Sequence, residues 1–295
     1  MVDSFTLLIA PWPAASAEPG GWQHTFRLVA SDAPALAVTD AAASRGDGVF
    51  ETFGVFNGHV QHVTSHLERF AESATALDLP MPNLAQFRAA LAHAEGVLAG
   101  GAAAHTLRLV LSRGAHDGPT AWISVAPQPD FTADRRDGVS AVTLDRGYTL
   151  EACRSLPWLL LGAKTLSFAV NFAANREAVR RGASDAIFVT SDGYVLEAAT
   201  ATVIVRLGET YVTPVPDGSV LPGTTQRALF ALFEAEGMRC ELRSLTVDEL
   251  RAADAAWLIS SGRLMAPLRE LDGVRVPVDA AATARFNAAL QRPRD

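Results

Sequence analysis

Lys164 is the residue of this chain best placed for covalent chemistry. It is the only lysine among the 295 residues, and it follows the apolar run Trp158–Leu161. A desolvated lysine can lose its proton and attack a carbonyl, whereas the guanidinium group of an arginine stays protonated. A carboxylate, Glu197, follows beyond the next predicted helix and hairpin. The plainer alternative is a lysine whose ammonium group reaches water from the end of a strand.

Sequence patterns predict the elements that position this pair. Apolar residues recur at helical spacing after Lys164, and arginines followed by Gly182 are typical of a helix end. The next residues predict a hairpin with strands at Ala186–Thr190 and Tyr194–Glu197, joined by a Ser-Asp-Gly turn. Because Asp-Gly turns are common, the hairpin by itself indicates no function.

Several motifs resemble one enzyme family. The motifs around Lys164, "DAIFV…DGYVLEA", "LPGTTQ" and "RGDGVFETFGVFNGHVQHVTSHLERF" are similar to those of class IV pyridoxal-phosphate enzymes. That family includes branched-chain aminotransferases, D-amino-acid aminotransferases and aminodeoxychorismate lyases. The resemblance runs from about Leu36 to about Asp272. Two motifs, "RRDGVSAVTLDRG" and "SLPWLLLGAKTLSFAVN", resemble an actinobacterial branch usually classed with the lyases.

The resemblance implies pyridoxal 5'-phosphate as cofactor and gives each matching residue a role. Lys164 would hold the cofactor through its amine and then move the substrate proton. Glu197 would face the pyridine nitrogen, and Arg69 of "HLERF" would contact the phosphate. The helix start in "LPGTTQ" is also suited to an anion on physical grounds, although a threonine there could simply cap the helix. The remaining cofactor contacts are predicted at Thr202, where the family often has asparagine, at Gly223, Thr224 and Thr225, and at Ser261.

Candidate substrate residues are three arginines and one phenylalanine. Arg108 and Arg113 lie on one predicted strand, and their odd separation places them on opposite sides of the sheet. By resemblance, Arg113 matches the arginine that opens the family's substrate loop. Phe50 stands where some family aminotransferases have tyrosine, and Arg263 stands where they carry a small polar residue. Each arginine could equally be an ordinary surface residue.

The resemblance leaves the reaction open between two outcomes. The first hypothesis is an aminodeoxychorismate lyase, which converts 4-amino-4-deoxychorismate to 4-aminobenzoate and pyruvate in folate biosynthesis. The alternative is an amino acid aminotransferase of the branched-chain or D-amino-acid type. A third possibility, a silent homologue that serves as a binding protein, is disfavoured because Lys164, Glu197 and Arg69 are all present.

The fold implied by the resemblance is the two-domain α/β (α+β) architecture of fold type IV. It has an N-terminal α+β sandwich domain and a C-terminal domain with a pseudo-barrel sheet. The expected boundaries are 1–126 for the first domain, 127–137 for a linker and 138–295 for the domain with the lysine. The family also implies a homodimer that acts on a small-molecule substrate.

Other elements are predicted from local patterns alone. Phe5–Ala10 is expected to be an edge strand, and the loop Pro11–Gly21 is expected to be mobile. Ser65 to Glu68 fits a capping box, and Asn83–Leu98 fits a second helix. Additional strands are predicted at Phe26–Ala30, Ala35–Val38, Val49–Phe56, His59–Val63, Thr106–Ser112, Ala121–Val125, Val139–Leu144, Thr210–Thr213 and Trp257–Ile259, with a helix at Gln226–Glu236.

Composition narrows the class of protein further. The formal net charge of −7 disfavours a nucleic-acid partner, and the sequence lacks the long apolar run of a membrane span. The first residues lack the basic start of a signal peptide. Cys153 and Cys240 are too far apart to indicate a disulfide framework or a zinc site, so the cytoplasm is expected. The histidines show no spacing typical of a metal site.

Overall fold

The computed structural model describes residues 4–17, 20–99, 101, 103–293 and 295. The chain divides into two compact units. Unit 1 comprises Met1–Pro129, Ala163–Phe168 and Arg292–Asp295, and unit 2 comprises Asp130–Gly162 and Ala169–Gln291. The division therefore differs from simple N- and C-terminal halves, because the short segment with Lys164 groups with unit 1.

Unit 1 is built on a six-stranded antiparallel sheet in the order β2-β1-β6-β5-β3-β4. Two long amphipathic helices supply the other half of its core, where Phe53, Phe70 and Phe87 are almost fully buried. Its strands are β1 Phe5–Ile9, β2 Phe26–Ala30, β3 Gly48–Phe56, β4 His59–Val60, β5 His105–Ala115 and β6 Gly118–Pro127, and its helices are α1 Ala41–Arg45, α2 Val63–Ala76 and α3 Leu84–Leu98.

Two strand predictions for unit 1 are wrong. Strand β1 is not an edge strand, because it pairs with β2 on one side and β6 on the other. Its alternating burial, with Leu7 fully buried, fits an inner strand that has one face on the core. Residues 35–38 form no strand. They lead into a turn in which Asp40 donates its N–H to Ala37 and then caps α1 through its side chain.

Helix α2 begins earlier than the sequence pattern predicts. Its first residue is Val63, so Ser65 lies inside the helix and the predicted capping box is wrong. His62 precedes the helix in a left-handed conformation, with φ of 53°. The carboxylate of Asp295 accepts a hydrogen bond from the Thr64 N–H at 2.9 Å. A long-range contact thus satisfies a backbone donor of the first turn.

The N-terminal loop is fastened to helix α3 in its described part. The side-chain amide of Asn83 donates to the carbonyl oxygens of Pro13 and Ser16 at 3.0 and 2.9 Å. Its oxygen accepts from the N–H of Gln86 at 3.1 Å and so caps α3, as the pattern predicts. The loop was expected to be mobile, but these bonds hold residues 11–17. Glu18 and Pro19 lie outside the described residues.

Unit 2 is built on a mixed sheet in the order β12-β11-β10-β13-β14-β7-β8-β9, with β15 paired to β14. The pairs β7–β8, β7–β14 and β11–β12 are parallel. Its strands are β7 Val139–Asp145, β8 Asp185–Val189, β9 Val195–Ala198, β10 Thr202–Leu207, β11 Thr210–Thr213, β12 Arg239–Leu242, β13 Ala255–Ser260, β14 Leu264–Leu271 and β15 Val274–Arg275. Its helices are α4 Thr132–Asp137, α5 Leu150–Ser155, α6 Ala169–Arg180, α7 Thr224–Ala235, α8 Val247–Arg251 and α9 Ala280–Leu290.

The elements after the lysine occur near the predicted places. The β8–β9 hairpin is present, but helix α6 begins at Ala169 and buries Ala174 and Ala178, whereas Val170 and Ala173 of the predicted apolar face are exposed. The stretch predicted as a linker differs, because strand β6 extends to Pro127 and residues 132–137 form α4. The alanine-rich residues at 280–284 begin helix α9, which Asp279 caps through the Ala282 N–H. No helix in the described ranges is both long and apolar enough to cross a membrane.

Candidate active site

Lys164 belongs to unit 1 and is held there through its backbone. Its carbonyl oxygen accepts a hydrogen bond from the N–H of Phe50, on strand β3, at 3.0 Å. Its own N–H donates to the hydroxyl of Ser73, on helix α2, at 3.0 Å. The backbone of the lysine is therefore tied to both a strand and a helix of the same unit.

The ring of Phe50 contacts two cationic side chains. The Nζ atom of Lys164 lies 4.4 Å from the ring centroid, and the guanidinium carbon of Arg108 lies 4.1 Å from it. Phe50 itself is only 6% exposed and packs edge-on against Phe168. A cation over an aromatic face is held by the quadrupole of the ring. Phe50 thus supports the lysine amine and Arg108 together.

Arg108 has a donor that the described residues leave unsatisfied. Its Nε atom is buried and makes no hydrogen bond within the described structure. Burial also lowers the pKa of Arg108 from its usual value. Because an unpaired buried donor costs free energy, a bound carboxylate would gain by accepting from it. Arg108 is therefore suited to bind an anionic group of a substrate.

Arg113 has a different set of partners on the same strand. Its Nε and Nη2 atoms donate to the carboxylate of Asp47 at 2.6 and 3.2 Å. Its Nη1 and Nη2 atoms donate to the carbonyl oxygens of Asp78 and Leu77. The hydrogen bond with Asp47 raises the pKa of Arg113. All three guanidinium nitrogens are therefore used within unit 1, although the side chain is substantially exposed.

Arg69 lies in a buried group with Glu51 and His66. Its Nε donates to Oε1 of Glu51 at 2.8 Å, and its Nη2 donates to Oε2 at 2.6 Å. His66, one helical turn earlier, places Nδ1 2.6 Å from the same Oε2. Burial raises the pKa of Glu51, but the Arg69 charge and the interactions with Arg69 and His66 together outweigh burial and lower the pKa to about 2. The carboxylate is thus charged and fixes the plane of the guanidinium.

His66 is a neutral imidazole in this group. Burial lowers its pKa, an effect that exceeds the opposing influence of Glu51. Since Nδ1 faces a carboxylate, the single ring proton belongs on Nδ1, where it donates to Glu51. The ring of Phe53 packs against the imidazole at 4.4 Å between centroids. His66 and Arg69 therefore share the Oε2 oxygen of the Glu51 carboxylate.

In unit 2, Glu197 lies near the end of the β8–β9 hairpin. One of its carboxylate oxygens accepts a hydrogen bond from the N–H of Leu221 at 3.2 Å. Leu221 belongs to the loop that precedes helix α7, so the carboxylate connects the hairpin with the loop before this helix start. A partly buried carboxylate held in this manner can keep a proton on a facing ring nitrogen.

The start of helix α7 is lined by small and hydroxyl-bearing residues. Gly223 is the N-cap, so the helix begins at Thr224, two residues earlier than predicted, and neither threonine is the capping residue. Thr224 and Thr225 are almost fully buried, and the hydroxyl of Thr225 lies 3.2 Å from that of Ser261. Backbone amides at a helix N-terminus favour an anion, and nearby hydroxyls add donors.

Gly223 also lies close to Thr202, the first residue of β10. A Cβ atom added at Gly223 would lie 2.5 Å from the hydroxyl oxygen of Thr202. The loop backbone can therefore approach the strand only because this residue lacks a side chain. The predicted residues Glu197, Thr202, Gly223, Thr225 and Ser261 form one neighbourhood of unit 2.

Arg263 points into a buried ion pair in unit 2. Its Nη2 lies 2.7 Å from a carboxylate oxygen of Asp185, and its Nη1 lies 3.7 Å from one of Asp134. Both Arg263 and Asp185 are more than nine-tenths buried. This pairing neutralises the guanidinium and joins the start of β8 to the turn before β14. Arg263 thus has a structural partner where the sequence predicted a substrate contact.

Comparison with known proteins identifies the family of this chain. Residues 48–271 match the family model described as amino-transferase class IV. The chain belongs to the class IV aminotransferase family. It is 45% identical over 255 residues to a bifunctional aminodeoxychorismate lyase / D-amino acid transaminase from Mycobacterium tuberculosis, a match that covers 83% of this chain and 88% of that protein.

Solved structures show the same architecture. A fold IV transaminase from Curtobacterium pusillum superposes with a TM-score of 0.91 at 44% identity, covering 98% of this chain and 97% of the other. The pyridoxal-phosphate-bound form of a hypothetical aminotransferase from Mycobacterium tuberculosis gives a TM-score of 0.86 at 42% identity, covering 90% and 96%. These matches confirm the two-domain fold type IV architecture and the family predicted from the motifs.

The class IV family uses pyridoxal 5'-phosphate, and this chain is a pyridoxal-phosphate-dependent enzyme. Its residues fit the cofactor chemically. The chain has an amine at Lys164, a carboxylate at Glu197 and, at the start of helix α7, a helix N-terminus with buried hydroxyls. These are the groups that an aldehyde, a ring nitrogen and a phosphate require.

Sequence reasoning missed Glu51, His66 and Ser73. Glu51 is the one charged residue in the strand segment "VFETFGVF". A charged residue in a mostly apolar strand indicates that it has a partner within the core. His66, Arg69 and Ser73 are spaced i, i+3 and i+7, which places them on one helix face. That face is buried. The two patterns together could have indicated a polar group within the core.

Proposed function

We propose that this enzyme is an aminodeoxychorismate lyase that converts 4-amino-4-deoxychorismate to 4-aminobenzoate and pyruvate, a step of folate biosynthesis. The observation that supports the proposal most directly is the 45% identity, across most of both chains, to a bifunctional protein named for this lyase activity. The unsatisfied donor of Arg108, whose guanidinium contacts the same Phe50 ring as the Lys164 amine, adds support because the substrate carries carboxylates.

In this proposal, Lys164 and Glu197 carry the proton chemistry. The cofactor, when bound, accepts electron density from the substrate carbon that carries the nitrogen. The amine of Lys164 would hold the cofactor and, once free, would take the proton from that carbon. Glu197 keeps a proton on the ring nitrogen. Departure of pyruvate leaves an aromatic ring, so the elimination is strongly favourable and needs mainly positioning.

The phosphate and the substrate carboxylates would be bound by different groups. In unit 2, the threonines at the start of helix α7 and Ser261 are proposed for the phosphate. The family resemblance gives Arg69 the same role, and its Nε and Nη2 are already bonded to Glu51. For a substrate carboxylate we favour Arg108, which retains a buried donor. Arg113 would first have to leave its hydrogen bonds to Asp47, and Arg263 would have to leave a buried ion pair. Phe50 would form a wall of the pocket beneath the substrate.

D-amino acid transamination is the second candidate function. The same relative from Mycobacterium tuberculosis is named for both activities, and a structural neighbour at 44% identity is described as a transaminase. Both reactions share the proton removal by Lys164 and diverge afterwards. In transamination the proton returns to a different carbon, and a keto acid leaves in place of an eliminated group.

Product analysis distinguishes the two reactions. Cofactor-loaded protein is incubated with fresh 4-amino-4-deoxychorismate, and 4-aminobenzoate is measured by chromatography while pyruvate is measured by a coupled assay. The lyase requires equal amounts of both products, and Lys164→Ala should form neither. A separate reaction with a D-amino acid other than alanine and a keto acid acceptor tests transamination. Keto acid from that reaction, with no 4-aminobenzoate from the first, would replace the lyase assignment.

We further propose that the enzyme acts as a cytoplasmic homodimer, as the family resemblance implies. Cys153 and Cys240 are both unpaired by disulfides, which is compatible with a reducing compartment. Light scattering coupled to size-exclusion chromatography would give the mass in solution. A mass of about 62 kDa, twice that of the 31.2 kDa chain, supports the dimer, and a monomer mass would contradict it.

A further inference from the structure

The position of Lys164 depends on contacts from two elements of unit 1. Strand β3 provides one set of backbone bonds, since Phe50 donates to the Lys164 carbonyl at 3.0 Å and Leu166 donates to the Gly48 carbonyl at 2.8 Å. Helix α2 provides the contact to the lysine's own N–H, which donates to the Ser73 hydroxyl at 3.0 Å. Strand β3 therefore holds the carbonyl group of Lys164, and the Ser73 hydroxyl on helix α2 holds its N–H group.

Ser73 is a fixed point on its helix. Its side chain is 1% exposed, and it lies on the same buried face as His66 and Arg69. Those two residues are anchored to Glu51 of strand β3 by hydrogen bonds of 2.6 to 2.8 Å. Since Glu51 follows Phe50 directly, the strand that holds the Lys164 carbonyl also anchors the helix that holds its N–H. The Lys164 backbone is thus bonded to strand β3 and to helix α2, and these two elements are also bonded to each other.

We infer that Ser73 is a positioning residue for Lys164. The Ser73 hydroxyl holds the lysine backbone so that the lysine amine stays over the Phe50 ring. This inference rests on the proposed role of Lys164 as the cofactor-binding lysine. Removal of the hydroxyl would free the lysine N–H from helix α2 and loosen the segment on that side. A shift of about 1 Å in a reacting group can reduce the rate of turnover by about 100-fold.

The single lysine allows a direct test in cofactor-free protein. Wild type and Ser73→Ala are treated at pH 8 with acetaldehyde and cyanoborohydride, and modification of Lys164 is followed by peptide mass spectrometry. Apart from Lys164, the only amine is the α-amine of the chain, which falls in a different peptide. We expect the labelling rate of Lys164 to change about fivefold in Ser73→Ala, because the hydroxyl no longer holds the lysine backbone and the amine no longer stays over the Phe50 ring.

Thr25→Val is the matched control. Thr25 is also a buried hydroxyl of unit 1, with hydrogen bonds to Trp22 and Gln86 and none to the lysine segment in the described structure. Its labelling rate should stay within twofold of wild type even if it lowers thermal stability. In loaded enzyme, Ser73→Ala should lower kcat with little change in KM. If Ser73→Ala does not fold, Ser73→Cys, which keeps a weaker acceptor, should show the same effects in smaller measure.

The outcomes separate this inference from the proposed reaction. A labelling rate and a kcat within twofold of wild type in Ser73→Ala, or an equal loss in Thr25→Val, would overturn the positioning role. Labelling needs neither the cofactor nor an amino acid substrate. An enzyme that forms no 4-aminobenzoate, but whose lysine reactivity depends on Ser73, would therefore refute the lyase and support this inference.

Discussion

Arg69 and Glu51 form a two-point ion pair inside the core of unit 1, with distances of 2.8 and 2.6 Å between the paired atoms. Glu51 is fully buried and Arg69 is 4% exposed. Removing one member of such a pair leaves the other charge without compensation. We therefore expect Glu51→Gln to lower the free energy of unfolding of the cofactor-free protein by about 3 kcal/mol. Denaturant titration measures this change.

The exposed ion pair between Arg136 and Asp137 provides the control for Glu51→Gln. Their side chains are 70% and 50% exposed. Solvent-exposed pairs contribute little to stability because water screens the charges. Asp137→Asn should therefore leave the denaturation midpoint unchanged. Equal shifts of the denaturation midpoint in the two variants would show that the buried pair contributes no more to stability than the exposed pair.

His66 should make the protein sensitive to mild acid. Its folded-state pKa lies below its ordinary value of 6.5 because of burial, while Glu51, Arg69 and Lys164 are the charged groups that act on it. The unfolded chain therefore binds a proton near pH 6.5, and the folded chain does so only at lower pH. The stability contribution of the neutral imidazole is complete above pH 6.5 and declines as the pH falls below it.

The test compares the free energy of unfolding at pH 7.5, 6.5 and 5.5 in cofactor-free protein. His66→Asn should lose less stability than wild type between pH 6.5 and 5.5, although it is less stable at pH 7.5. His116→Asn, at an exposed position, should follow the wild-type slope. Glu51 contributes a second loss only below about pH 4.5, since its own pKa is lowered to about 2. Parallel slopes in His66→Asn and wild type would contradict this assignment.

Gly223 should be required for cofactor affinity. A methyl group at this position would lie 2.5 Å from the Thr202 hydroxyl, so the loop or the strand would have to shift. Overpacking of this kind costs about 1–3 kcal/mol. We expect Gly223→Ala to weaken binding of the cofactor about tenfold or more, as measured by titration of the apoenzyme.

Two further variants test the cause of that loss. Thr202→Ala removes the oxygen that the new methyl group would meet, so the double variant should recover affinity relative to Gly223→Ala. Gly96→Ala, on an exposed face of helix α3 with open space around the added atom, should bind the cofactor as wild type does. If the double variant binds the cofactor no better than Gly223→Ala, the contact with Thr202 is not the cause of the lost affinity.

Arg108 should bind substrate more than it supports the fold. Hydrogen bonds to a charged group contribute about 1.5–3 kcal/mol, so loss of this side chain should raise KM about 10- to 100-fold. Arg108→Met keeps an apolar side chain next to Phe50 and should leave the thermal midpoint nearly unchanged. Steady-state kinetics of the loaded enzyme measure the effect. Arg181→Met, at an exposed position just after helix α6, is the control and should have no kinetic effect. An unchanged KM in Arg108→Met would move the carboxylate contact to another residue.

The sequence by itself determined much of the fold and the chemistry of this protein. Periodicity placed helices α3 and α6 and the β8–β9 hairpin, because local repeat length follows directly from backbone geometry. Because Lys164 is the only lysine, the sequence predicts it as the residue that holds the cofactor. The motif set predicted the family, which the match over residues 48–271 confirmed.

Only the tertiary structure decided which polar side chains meet. Ser73 and Lys164 are 91 residues apart, and Arg263 and Asp185 are 78 residues apart, so no local pattern links them. The same holds for the start of helix α2, where the N–H of Thr64 donates to Asp295, 231 residues away. Sequence periodicity reports which face of an element is buried, but it does not report the partner, because hydrogen bonds and ion pairs depend on distances that only the folded chain sets.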